Sequence, residues 1–189
     1  MIVHRIMDRR RVEPAFQEEE CMERANAFDF LGPRTLVGPE LKPGDRAPAF
    51  KLTTGKATIS SEQFAGKPLV ISVIPSIDTG VCSKQTRRFN EAAAELGDAV
   101  NILTVSADLP FAQGRWCGAE GVDKVIMASD HLDMSFGAAY GTYVKELRIE
   151  SRAVFVVDKD GIIRYAEYVP VAGHEPNYDA ALAALKELL

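Results

Sequence analysis

Two aliphatic segments, Leu69-Val70-Ile71-Ser72-Val73-Ile74 and Asn101-Ile102-Leu103-Thr104-Val105-Ser106, enclose a stretch of helical periodicity, and this constrains the fold more than any other feature. Both read as short buried strands, the first stopped by Pro75. Between them Phe89, Ala92, Ala93 and Leu96 recur at helical spacing from Cys82 onward, with Lys84, Gln85, Arg87, Arg88 and Glu91 largely on the other face. A strand, a helix and a strand in this order imply a parallel pair with a right-handed crossover. The connection Pro75-Ser76-Ile77-Asp78-Thr79-Gly80-Val81-Cys82 sets Cys82 on the first helical turn. Unpaired N–H groups and the positive end of the helix dipole favour an anion there, which turns a thiol toward its thiolate. The alternative is an inert cysteine packed as a small apolar residue.

With 189 residues, 47% of them apolar, the chain is long enough for one well-packed domain and short for two. A net charge of −5 argues against a nucleic-acid binder, and the basic cluster Arg9-Arg10-Arg11 is answered by Glu18-Glu19-Glu20. No apolar run approaches the length of a membrane span, and the first residues contain no signal-peptide core, so the expected location is cytoplasmic, without a membrane partner. Three cysteines with no Cys-x-x-Cys pair form neither a disulfide framework nor a usual zinc site. His4, His131 and His174 are scattered and read as surface or loop residues.

Residues 1–21, rich in Arg and Glu, read as an N-terminal extension outside the core, and 22–189 as a single domain. Met22 directly precedes the first convincing structure, which makes it an alternative start that N-terminal sequencing of natively expressed protein decides. Phe28–Leu31 and Arg34–Val37 read as a hairpin turned by Gly32-Pro33. Phe50–Leu52 and Ala57–Ile59 read as short strands, Ser60–Phe64 as a short helix, 110–117 as a short helix or turn, and Lys124–Met127 as a third core strand. Leu132–Tyr140 reads as a helix ended by Gly141. Ala153–Val157 and Ile162–Ala166 flank Asp158-Lys159-Asp160-Gly161, a strong hairpin signal. That turn resembles a fragment of a calcium loop, but the remaining ligands and the closing glutamate are missing, so no metal is expected. The last helix, about 177–188, places Tyr178, Leu182, Leu185 and Leu189 along one stripe. The sum is an α/β fold with a parallel core and an antiparallel hairpin edge.

Pro75, Thr79 and Cys82 spell P-x-x-x-T-x-x-C, which resembles the active-site signature of the peroxiredoxins, thioredoxin-fold enzymes that reduce hydroperoxides with a cysteine. The longer strings Pro75–Cys82 with Thr86–Asn90, and Ser106–Gln113 with Arg115–Gly121, resemble the atypical two-cysteine branch of that family. The resemblance runs from about Phe28 to Leu189 and includes Ser151-Arg152-Ala153-Val154, where the family carries its active-site arginine. Trp116 departs from it, standing where many members have Phe. The resemblance implies a thioredoxin-like fold, its central mixed sheet flanked by helices, with an added N-terminal β-hairpin.

It also implies the chemistry. Cys82 as thiolate attacks the peroxide and becomes a sulfenic acid. Thr79 orients the reacting atoms, a role compatible with plain N-capping. Arg152 supplies a permanent cation and hydrogen bonds, although on sequence alone it would be a surface charge. Pro75 shapes the loop and shields the thiolate. Cys117 resolves the sulfenic acid as an intramolecular disulfide, against the alternative of a packing thiol; Cys21 lies outside the matched strings and is assigned no catalytic role. No flavin, haem or metal cofactor is implied. Hydrogen peroxide and alkyl or lipid hydroperoxides are the implied substrates, thioredoxin the implied reductant and a homodimer the implied assembly. A competing reading is a peroxide-sensing redox switch that relays oxidation to a partner protein.

Overall fold

The computed structural model describes residues 22–189; the expectations for residues 1–21, including His4 and Cys21, lie outside the described residues. The elements follow in the order β1 (Glu23–Asp29), β2 (Pro33–Val37), β3 (Lys51–Thr53), β4 (Thr58–Ser60), β5 (Leu69–Val73), α1 (Gly80–Leu96), β6 (Asn101–Ser106), α2 (Pro110–Glu120), β7 (Ile126–Ser129), α3 (Ser135–Tyr140), β8 (Tyr143–Val144), β9 (Ile149–Glu150), β10 (Arg152–Val157), β11 (Ile163–Val169) and α4 (Tyr178–Lys186). A 3-10 turn, Ser61–Phe64, stands where a short helix is expected.

Seven strands form the central sheet in the order β11-β10-β5-β6-β7-β3-β4. β5, β6 and β7 are parallel, and both edges are antiparallel: β10 and β11 beyond β5, β3 and β4 beyond β7. This is the expected mixed sheet, with the β5-α1-β6 crossover at its centre. The aliphatic character of β5 follows from burial on both faces. Val70 packs with Ile102, Val154 and Val156 under Phe89, Ala92, Leu182 and Leu185, while Ile71 and Val73 pack with Leu103, Val105 and Phe155 under Phe50, Phe64, Phe136 and Tyr140. Period-two alternation thus sends successive residues of one strand into two separate cores.

Several boundaries differ from the sequence reading. The N-terminal hairpin starts earlier, at Glu23, and joins β8 and β9 in a separate four-stranded sheet. Its turn lies at Phe30–Gly32, with Leu31 and Gly32 at positive φ, so Pro33 opens β2 instead of completing the turn. The 110–117 segment is a full helix to Glu120, β7 begins at Ile126, and α3 begins only at Ser135. Leu189 is 60% exposed, because α4 ends at Lys186 before its stripe reaches that residue. Tyr178, Leu182 and Leu185 do face the core. His131 and His174 lie in loops. In the β10–β11 turn, Asp158 Oδ1 accepts from the amides of Asp160 and Ile162, and Oδ2 from Arg164 Nε. Among the described residues no helix is long and apolar enough to cross a membrane.

Two carboxyl groups meet inside this scaffold. Asp130 accepts from the amides of Phe136 and Gly137 at the start of α3, and Glu150 accepts from the Thr142 hydroxyl at 2.5 Å. Burial, then the neighbouring Asp130, pushes Glu150 well above the usual carboxylate range. The folded protein therefore holds a proton that the unfolded chain releases, so stability falls as pH rises from the unfolded value near 4.5 through the folded one. Glu150→Gln is expected to flatten this decline, measured by urea unfolding from about pH 5 to about pH 8; an unchanged slope would assign the decline to other groups.

Candidate active site

The site forms where β5 ends and α1 begins. The Ile74 amide still reaches Val105 O at 3.0 Å, and Pro75, which has no amide to donate, ends the ladder. Thr79 is the backbone N-cap of α1, since its carbonyl accepts from the Ser83 amide at 2.9 Å. Its hydroxyl does not cap the helix. It donates to Ser76 O at 3.2 Å, so the side-chain N-cap expected as its alternative role is absent. Ser83 Oγ donates to Ile77 O at 2.8 Å and pins the first turn to the loop.

Cys82 lies in that first turn, and its residue is fully buried. Arg152, the first residue of β10, is 1% exposed, so the expectation of a surface charge fails. β10 runs antiparallel to β5, with Ala153 opposite Val73, which brings Arg152 to the end of β5 where the cysteine loop departs. One Nη donates to Cys82 Sγ at 3.3 Å and to Ala172 O at 2.8 Å; the other donates to Gln85 Oε1 at 2.6 Å. Arg152 Nε is buried and has no hydrogen-bond partner among the described residues. A cavity of about 430 Å³ opens beside this group. Pro75, Thr79 and Arg152 line it, with Phe30 and Leu31 from the hairpin tip and Val171 and Ala172 after β11.

Cys117 lies in the third turn of α2, half-buried, and packs against the same core cluster that contains Cys82 and Trp116. Burial pushes its thiol above the ordinary value. Cys82 and Cys117 are free thiols here, so this is the reduced arrangement. Five residues singled out from the sequence therefore divide: Pro75, Thr79, Cys82 and Arg152 share one neighbourhood, and Cys117 sits on the adjoining helix.

Two residues of this neighbourhood were not read as such. Gln85, placed on the polar face of α1 by its residue type, is fully buried: its Oε1 holds Arg152 and its Nε2 donates to Ser72 Oγ at 2.9 Å. Its spacing of three residues from Cys82 was the available signal, because residues i and i+3 share a helix face. Asp108, at the end of β6, accepts from Ser76 Oγ and the Ile77 amide, bonds for which the sequence carried no signal.

The redoxin family model matches residues 42–182. The chain belongs to the redoxin family. Among individual redoxins, the thiol peroxidase of Bacillus subtilis (strain 168) is 59% identical over 159 residues, 84% of this chain and 95% of the relative. The thiol peroxidase of Streptococcus pneumoniae is 55% identical over 161 residues, 84% of this chain and 98% of the relative. A solved peroxiredoxin-like protein from Aquifex aeolicus superposes with a TM-score of 0.78 at 40% identity, covering 84% of this chain and 94% of that one. This redoxin is a peroxiredoxin-type peroxidase with a thioredoxin-like fold.

The Gln85 contacts make a measurable demand on this redoxin. Gln85→Leu would leave Arg152 Nη1 and the Ser72 hydroxyl without partners in the interior. Removing a partner from a buried charged group costs about 2 kcal/mol, so the urea midpoint is expected to drop accordingly; an unchanged midpoint would show that another group takes over the guanidinium.

Proposed function

We propose that Cys82 reduces hydroperoxides as the attacking thiolate and that Cys117 resolves it in a cycle returned to the start by thioredoxin. The observation that carries this reading is the guanidinium N–H of Arg152 on Cys82 Sγ at 3.3 Å, in a buried site open to a cavity. A cation fixed against sulfur stabilises the thiolate and, as the peroxide enters, the negative charge that develops on its oxygens. The Cys82 sulfur attacks the nearer peroxide oxygen, the O–O bond breaks, and the departing oxygen leaves with the bonding pair to be protonated as water or an alcohol. The sulfur, now a sulfenic acid, has lost two electrons to the peroxide.

The remaining residues fit supporting roles. The buried Nε of Arg152 is a donor without a partner among the described residues and can serve the peroxide. The Thr79 hydroxyl orients the reacting atoms from the same loop, and Pro75 shapes the loop and shields the sulfur. The apolar walls at Phe30, Leu31, Val81 and Val171 favour organic hydroperoxides, alkyl or lipid, alongside hydrogen peroxide.

Resolution then requires the Cys117 thiolate to attack the Cys82 sulfenic sulfur, expelling hydroxide and forming a disulfide. Full burial of Cys82 and partial burial of Cys117 oppose that attack in the reduced arrangement. The first turn of α1 and residues 110–117 must unwind locally for it. Two thiols of thioredoxin supply the electrons and protons that regenerate both cysteines. A reducing cytoplasm suits this cycle. Residues 22–189 form the one domain that carries it. The solvent-facing apolar groups Leu31, Leu109 and Phe111 around the cysteine loops suit a homodimer interface.

Thioredoxin-coupled peroxide consumption with peptide mass spectrometry tests the cycle. Cys82→Ser is expected to abolish turnover; Cys117→Ser is expected to give one fast oxidation and lose thioredoxin-supported turnover. Full steady-state activity in Cys117→Ser would remove it as resolver, and single-equivalent oxidation of the unaltered protein would mark a redox switch.

Amide exchange compared between reduced and oxidised protein addresses the unwinding. Faster exchange is expected over the first turn of α1 and residues 110–117 after oxidation, and unchanged protection in both would sink the idea.

A further inference from the structure

Asp108 occupies the junction between the two cysteine segments without touching either sulfur. Its Oδ1 accepts from Ser76 Oγ at 2.8 Å, and its Oδ2 accepts from the Ile77 amide at 2.7 Å and from Ser106 Oγ at 2.7 Å. Its own carbonyl accepts from Ser129 Oγ at 2.5 Å, which anchors it to the end of β7. Two residues further along, Pro110 opens the helix that carries Cys117.

The donors on the other side are the two residues on which the Cys82 loop is built. The Ser76 carbonyl accepts from the Thr79 amide and hydroxyl, both at 3.2 Å, and the Ile77 carbonyl accepts from the Ser83 hydroxyl at 2.8 Å. Ile77 itself is fully buried in the cluster that holds Cys82 and Trp116. The carboxylate thus fixes Ser76 and Ile77, these fix Thr79 and Ser83, and the turn between them carries Cys82. Gln113, on α2, reaches the same network by donating to Ser106 Oγ at 3.0 Å.

We infer that Asp108 is a positioning residue that couples the two segments, holding the Cys82 loop in its peroxide-reducing form and releasing it when the start of α2 moves. The inference rests on the assignment of Cys82 and Cys117 in the proposed cycle. A residue with this role acts in opposite directions on two successive steps. Its loss slows attack on the peroxide, because Cys82 is no longer held against Arg152 with Thr79 fixed in the same loop. Its loss speeds disulfide formation, because the loop is already partly free. Faster resolution also leaves less sulfenic acid for a second peroxide, so the yield of sulfinic acid falls. A merely structural residue would not produce that split.

Rapid-mixing measurement of Asp108→Ala resolves the two steps. Cys82 oxidation by hydrogen peroxide is expected to slow at least tenfold, on the order of what loss of transition-state positioning costs, while disulfide formation speeds up and the sulfinic fraction at high peroxide declines. If both steps slow together, or neither changes, the inference is overturned. Should Asp108→Ala fail to fold, Ser76→Ala removes one donor only and is expected to give the same split at smaller amplitude; a uniform loss of both rates there also overturns it. The measurement is repeated in Cys117→Ser, where no Cys82–Cys117 disulfide can form: slower Cys82 oxidation and faster exchange of the Ile77 amide support the role of Asp108 even if Cys117 is not the resolver, and unchanged values of both overturn it.

Discussion

The arrangement depends on one buried cation. Arg152 brings a permanent positive charge into a position that is 1% exposed, and among the described residues no carboxylate is hydrogen-bonded to it. Burying a charge is costly unless hydrogen bonds replace the lost water. The replacements come from three directions: Gln85 on α1, the carbonyl of Ala172 after β11, and the sulfur of Cys82. A neutral amide and a carbonyl compensate the guanidinium only in part, and the remaining partner is the sulfur. Gln85 is suited to this place because it holds the cation without neutralising it. A glutamate there would compete with the sulfur for the same charge.

The sheet explains why Arg152 can be so placed. β10 is antiparallel to β5, so its first residue meets the end of β5, the edge of the parallel core from which the Cys82 loop leaves. In a sheet with parallel strands at its centre, those carboxyl ends are where loops converge and ligands bind. Here the converging segments are the Cys82 loop from β5 and the Asp108–Pro110 segment from β6, joined by hydrogen bonds from Ser76 and Ile77 to one carboxylate. The N-terminal hairpin closes the cavity from outside: Phe30 and Leu31 line it, and the Asp29 amide donates to Pro170 O at 2.7 Å.

Elements whose physics is local were legible in the sequence. β5, β6 and α1 announce themselves through uniform aliphatic runs and helical spacing, and the turn before Cys82 through Pro75. Elements that exist only through distant partners were not. β8 and β9 have two residues each, too few for any period, and are strands because β8 pairs with β2 and with β9. α2 contains Gly114 and Gly118 and buries only Gln113 and Trp116, so it lacks an apolar stripe and reads as no more than a short helix or turn. Gln85 was misassigned for the corresponding reason: a polar residue at an inward position betrays a polar partner, and that partner lies 67 residues away. The site residues Pro75, Thr79, Cys82 and Arg152 became readable together only through the family resemblance, which supplied the contact between a loop and a strand that spacing cannot.

The proposed cycle makes contradictory demands on Cys82, and the distribution of contacts shows how one fold can meet both. Peroxide attack needs the sulfur enclosed and held against Arg152; resolution needs it released toward Cys117. The enclosing contacts are of two kinds. The strand ladders of β5, β6 and β10 and the cores on either face are extensive and take no part in the release. The contacts that would break lie around the Cys82 loop and on the surface: the hydrogen bonds of Ser76 and Ile77 to Asp108, and the exposed Asp78–Arg115 pair at 3.8 Å, the latter worth about 1 kcal/mol or less. Against them stands Ile77, whose removal from the interior costs about 2 kcal/mol. Its burial is the main apolar force returning the loop to the closed form. Opening is thereby a local event of a few kcal/mol, smaller than the stability of the whole fold. In the proposed cycle it is large enough to keep Cys82 closed before peroxide enters, and small enough for a single disulfide to hold the loop open.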